Sequence, residues 1–163
     1  MRRLLTLALP VLLLAACGFQ LRGSYSLPFA TLYIGLPEST ELHAVIKRNI
    51  EASSATRVVS KTKDAEAILN VIANGQVKQV LSTNASGQVR EYDLIRTFGF
   101  QLVDKDNRAL LPPSQIVLKR DITYSDAQVL SKEAEEGLLW RDMQNDLVQQ
   151  LLRRLSAAKL RTE

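Results

Sequence analysis

The chain has 163 residues, of which 21 are basic and 17 acidic, a formal balance of +4, and it carries a single cysteine. Arg2 and Arg3 fall in a stretch expected to be removed, which leaves 19 basic residues against 17, a balance of +2 and too mild for the strongly basic face that nucleic-acid binding needs. One cysteine excludes an internal disulfide, and the length fits one domain with a core of its own.

In chain order, Arg2 and Arg3 give the positive start of a secretion signal and residues 4–14 its apolar core. That core is too short to span a bilayer, which takes about 20 apolar residues. Small residues follow, and Leu14-Ala15-Ala16-Cys17-Gly18 resembles the bacterial lipobox, in which the thiol receives a diacylglycerol, the chain is cut before the cysteine and the new amine is acylated. Residues 1–16 are therefore expected to be a lipoprotein signal peptide, with Cys17 the lipidated first residue of the mature chain. Several acyl chains hold an N-terminus to a membrane where one alone binds marginally. Gly18, in place of the aspartate common in inner-membrane lipoproteins, favours the outer membrane with the body on the periplasmic side.

Residues 24–37 read as a strand between turns, with Leu32, Tyr33 and Ile34 bounded by Pro28, Gly35 and Pro37. A helix follows, capped by Ser39 or Thr40, with Leu42, Val45, Ile46, Asn49 and Ile50 along one stripe and His43 off it, at the surface. Arg57, Val58 and Val59 suit a short strand before a charged turn at 61–64. The first long strand places Ala67, Leu69, Val71, Ala73 and Val77 on one face, and Asn70, Asn74, Gln76 and Lys78 on the other. A turn at 83–87 sends the chain back antiparallel. The returning strand, about 89–103, puts Tyr92, Leu94, Phe98, Phe100 and Leu102 on one side. Pro112-Pro113 is expected to end regular pairing, because proline lacks an amide donor, before Ile116, Leu118, Ile122 and Tyr124 alternate in a further strand.

A last helix over about 131–157 supplies the cover. Leu139, Met143, Leu147, Leu151 and Leu155 recur every four residues, widened by Trp140, Val148 and Leu152, while Gly137 is a weak point near its start. The expected fold class is α+β: an antiparallel or mixed sheet of about four strands with two helices packed on one face. The polar end, about 158–163, is expected to be a disordered tail.

No metal-ligand cluster, glycine-rich phosphate loop or nucleophile elbow is visible. Glu133, Glu135 and Glu136 are explained by a helix start, and His43 has no nucleophile or orienting acid in any nearby pattern. The chain therefore reads as no enzyme, with no catalytic residue, no metal and no cofactor.

Directly after Cys17, Gly18-Phe19-Gln20-Leu21-Arg22-Gly23 resembles the opening of the mature LptE proteins, the lipopolysaccharide-assembly lipoproteins of the Gram-negative outer membrane. The order strand, helix, strands, helix fits that family over residues 17–163. The resemblance implies a one-to-one plug inside the lumen of the LptD β-barrel that helps the barrel assemble and binds lipopolysaccharide on its way to the cell surface. Gln128-Val129-Leu130-Ser131-Lys132-Glu133 resembles the family's segment leading into the last helix, where a lysine is implicated in lipopolysaccharide binding, and this implies that role for Lys132. The family also carries a basic residue in the turn before Gly87-Gln88. Here Asn84, Ala85 and Ser86 stand in that turn, so Arg90 is the residue placed to supply the charge, although a cross-strand ion pair would explain it equally. Two other readings stay open: an accessory lipoprotein of another outer-membrane barrel-assembly machine, and a periplasmic lipid-active enzyme.

Overall fold

Period-two alternation builds the longest elements. Strands β3 (Ala67–Thr83), β4 (Val89–Asp104) and β5 (Ala109–Thr123) form an antiparallel meander. The structure, a computed structural model, describes residues 25–159. Residues 1–16, Cys17, the motif at 18–23 and the end of the chain at 160–163 lie outside the described residues. Two short strands, β1 (Thr31–Ile34) and β2 (Arg57–Val59), pair parallel with each other, and β1 pairs parallel with β3. The result is one mixed sheet of five strands in the order β2-β1-β3-β4-β5.

Helix α1 (Glu41–Ser53) joins β1 to β2, and Thr40 starts it by accepting the His43 amide on its hydroxyl at 3.3 Å. Helix α2 (Val129–Ser156) follows β5. Leu32, Ile34, Ile46, Ile50, Leu69, Phe98, Phe100, Met143, Leu147 and Leu151 are closed off from water in one continuous core shared by the sheet and both helices. Each such side chain contributes about 1.5–3 kcal/mol, so the α2 stripe over residues 143–155 is what fastens the helix to the sheet. Ala158 also packs into this core, beyond the last helical turn.

Two readings of the sequence need correction. His43 is buried, not at the surface, because the face of α1 that meets the core is wide enough to take it in beside Leu42, Val45, Ile46 and Ile50. Pro112 and Pro113 interrupt β5 without ending it. The register steps from Leu102 opposite Leu111 to Phe100 opposite Ser114, so the prolines occupy a bulge in an edge strand.

The β3–β4 turn is built on Asn84, whose side-chain oxygen accepts the amides of Ser86 and Gln88, both at 2.9 Å. Gly87 closes it with φ of 79°, a conformation that costs glycine little.

Candidate functional site

A bulge in β3 decides what the far half of the sheet offers. Val71 lies opposite Phe100 and Asn74 opposite Phe98, and both phenylalanines are fully buried on the helix-facing side. Val71 and Asn74 therefore share a face although they stand three positions apart, which reverses the alternation beyond the bulge. Val77, expected on the apolar face with Leu69, is turned outward and is 52% exposed. Asn74, Gln76 and Lys78, expected on the outer side, lie across from Phe98, Arg96 and Leu94 on the inner side.

Lys78 thus meets α2. Its Nζ is 2.6 Å from Glu136 Oε2 and 4.4 Å from the centre of the Tyr92 ring. Tyr92 packs edge-on against Tyr124 with ring centres 5.6 Å apart. Trp140 donates its indole N–H to Glu136 Oε1 at 3.2 Å, one helical turn on. Burial by itself would raise the Glu136 carboxyl. The hydrogen bonds from Lys78 and Trp140 and the Lys78 charge outweigh it and hold the group below its ordinary value of 4.5.

Lys132 joins the same group from the first turn of α2. Its Nζ donates to Thr123 Oγ1 at 3.0 Å and pairs with Glu135 Oε2 at 2.9 Å, tying the start of the helix to the end of β5. Lys78, Tyr92, Ile122, Tyr124, Lys132, Glu133 and Glu136 line one cavity of about 120 Å³. Two ammonium groups, two carboxylates and two phenol rings line this small cavity, so a phosphate joined to an apolar body fits it only by taking the place of a carboxylate on a lysine.

Arg90 stands apart. It lines a separate, larger cavity of about 470 Å³ with Asn84, Gln88, Tyr124 and Ser125, and Tyr124 is the wall between the two spaces. Arg90 makes no ion pair among the described residues, which removes a cross-strand pair as its explanation. The second cation beside Lys132 is therefore Lys78, a residue that plain alternation assigns to the opposite face. Gly99 was the available signal. It sits across from Ala73 at the bulge, where a Cβ on it would come within 3.2 Å of the Ala73 Cβ.

Arg96 is the other residue that the alternating pattern passes over. It belongs to the inner stripe of β4 between Leu94 and Phe98 and is 3% exposed. Nη1 donates to the carbonyls of Gly75 (2.8 Å) and Thr97 (3.1 Å), and Nη2 to Asn74 Oδ1 (2.6 Å). Burial lowers its pKa from the usual guanidinium value.

Among the described residues no group of three histidine, cysteine, aspartate or glutamate side chains could hold a metal, and no helix is long and apolar enough to cross a membrane. The family model described as lipopolysaccharide-assembly, LptE, matches residues 29–155. The LPS-assembly lipoprotein LptE of Pectobacterium atrosepticum is 25% identical over 154 residues, which cover 93% of this chain and 83% of the relative. Its counterpart in Yersinia enterocolitica is 28% identical over 93% of this chain and 74% of its own length. The solution structure of an uncharacterized lipoprotein B from Nitrosomonas europaea superposes with a TM-score of 0.74 at 39% identity, over 86% of this chain and 91% of that one. With the element order, the five-stranded sheet and a match running through β1 to α2, the chain belongs to the LptE family of lipopolysaccharide-assembly lipoproteins, which are not enzymes.

Proposed function

We propose that this protein is anchored in the outer membrane through acyl chains on Cys17, plugs the LptD β-barrel one to one from the periplasmic side, and helps that barrel assemble. In this reading it also binds lipopolysaccharide through Lys132. Family membership supports the assembly role, and the names of the relatives in Pectobacterium and Yersinia agree with it. A plug for a wide barrel needs a largely polar skin, since such lumens are wet. Exposed Gln76, Gln79, Arg120 and Asp121 along the strands are compatible with that need.

The observation that carries the binding role is the shared cavity of Lys132 and Lys78, with Tyr92 and Tyr124 between strand and helix. Lipid A carries phosphates on an apolar body, and charge-assisted hydrogen bonds are the strong contacts to phosphate. Arg90, reached across Tyr124, is the outlying member of this site.

The test of the lipid role is Lys132→Glu in the full chain. Losing a charge-assisted contact is worth about 1.5–3 kcal/mol, so lipopolysaccharide affinity at low salt should fall by about tenfold or more with the melting temperature little changed. Unchanged affinity would remove Lys132 from the site. For the assembly role, purification through a C-terminal tag in mild detergent should bring one large barrel protein in equal amount. A different barrel there would move the protein to another assembly machine. Cys17→Ala should release the chain from membranes that lack the barrel.

A further inference from the structure

We propose that Arg96 anchors an oxyanion site, separate from the Lys132 cavity, that takes a phosphate group in the space between β3, β4 and the two helices. This holds whether or not Lys132 binds lipopolysaccharide. The space is a cavity of about 290 Å³ lined by Leu42, Asn74, Gly75, Gln76, Arg96 and Gln144. A guanidinium carries five N–H donors and stays charged at neutral pH. Three are taken, by the carbonyls of Gly75 and Thr97 and the side chain of Asn74. One N–H on Nη2 is left over, and Nε is shielded from water with no acceptor at all. Arg96 thus keeps donors that no protein group satisfies, and it lines the cavity.

No carboxylate fills that role. Among the described residues Arg96 has no ion pair, and the acceptors it does have are neutral. The Glu41 carboxylate at the start of α1 is held by Gln144 Nε2 at 3.2 Å instead. The Nη2 N–H left over is the donor that a phosphate oxygen in the cavity takes, since Nε is closed off. Asn74 gives its side-chain oxygen to Arg96, which leaves its amide hydrogens as donors, and Gln76 adds an amide directly across the strands from Arg96. Leu42, in the first turn of α1, brings the positive end of that helix to the same cavity.

The cross-strand neighbour supplies the test. In Gln76→Glu a carboxylate stands opposite Arg96 and takes the place of the anion from within. The full chain, purified in detergent at pH 7, is melted in rising concentrations of sodium phosphate, of glucose 6-phosphate, and of sodium chloride at matched ionic strength. The melting temperature should rise and saturate with phosphate or its ester and stay flat with chloride, since a ligand of the folded state stabilises by mass action. Gln76→Glu should melt higher than the natural chain without phosphate and lose most of the response. Arg96→Gln should melt lower and lose it entirely. Saturation by both anions marks a site for phosphate itself, and saturation by the ester alone marks a phosphate on a larger body. No saturable rise with either, or a rise that survives in both variants, overturns the proposal.

Discussion

The two ends of the meander are held by different forces. At the base, where β1 joins the sheet and α2 ends, the inner face is closed by Leu69, Phe98, Phe100 and Leu102 beneath Leu147, Leu151 and Leu155, all fully buried. At the far end the same strands continue to the turn at 84–88, and α2 begins above them with Lys132, Glu136 and Trp140 facing Lys78, Tyr92 and Tyr124. Leu130 at that end of α2 is 82% exposed. One helix thus lies on oil for its second half and on charges and rings for its first. The continuous apolar contacts lie at the base, and the paired charges lie at the tip.

The largest expected effect tests this division directly. Phe98 is fully buried, lies across from Asn74 and Ile116, and has its ring centre 6.0 Å from that of Phe100. Phe98→Ala should cost about 3–5 kcal/mol by urea denaturation, the usual range for an emptied aromatic site. Leu81→Ala, at an unpaired and half-exposed position of β3 near the tip, should stay within about 0.5 kcal/mol. Comparable losses at the two positions would mean that the tip is part of the core, and the division would fail.

The base was legible in the sequence because its pattern is regular. The four-residue recurrence from Leu139 to Leu155 and the alternation from Leu94 to Leu102 each report one buried face, and Ser39 or Thr40 marked a helix start that Thr40 caps. The tip was not legible, for a specific reason. Alternation carries face information only while every residue pairs one to one, and the bulge between Val71 and Ala73 exchanges the two faces of β3 without changing its composition. Lys78 was thereby read on the wrong side, and the cavity it shares with Lys132 could not be assembled from spacing. Arg96 escaped because a charged residue inside an apolar stripe reads as a break in the pattern, whereas the backbone carbonyls of Gly75 and Thr97 let it stay there. Lys132 itself rests on the resemblance of residues 128–133 to the family segment, since a lysine at a helix start has no sequence signature of its own.

A smaller effect sharpens the contrast within α2. Gly137 lies in the weakly packed first half, and a Cβ added there meets nothing within 4 Å. The helix start also lacks a side-chain cap at Gln128. Gly137→Ala should therefore stabilise by about 0.5–1 kcal/mol in denaturant melts, through the lower backbone entropy of alanine alone. Hydrogen exchange should slow most in the first half of α2, since its packed half already exchanges by global unfolding. A gain spread evenly along the helix would mean that α2 opens as one unit and that tip and base are not separate in stability.

The smallest effect concerns the charges themselves. Glu136→Gln keeps an oxygen for the Trp140 N–H but removes the anion facing Lys78, in a pair whose side chains are 22% and 35% exposed. Partly exposed pairs are worth about 0.2–1 kcal/mol, so the loss at pH 7 should fall in that range and shrink in high salt. Its pH dependence has a fixed sign. The folded carboxyl titrates below its ordinary value of 4.5, so its contribution is present above that value and disappears as pH falls through the folded one. The natural chain and the variant should therefore differ at neutral pH and converge in acid below about 4.5. A gap that persists in acid would assign the effect to packing around Trp140, and the tip would then be held by contacts of the same kind as the base.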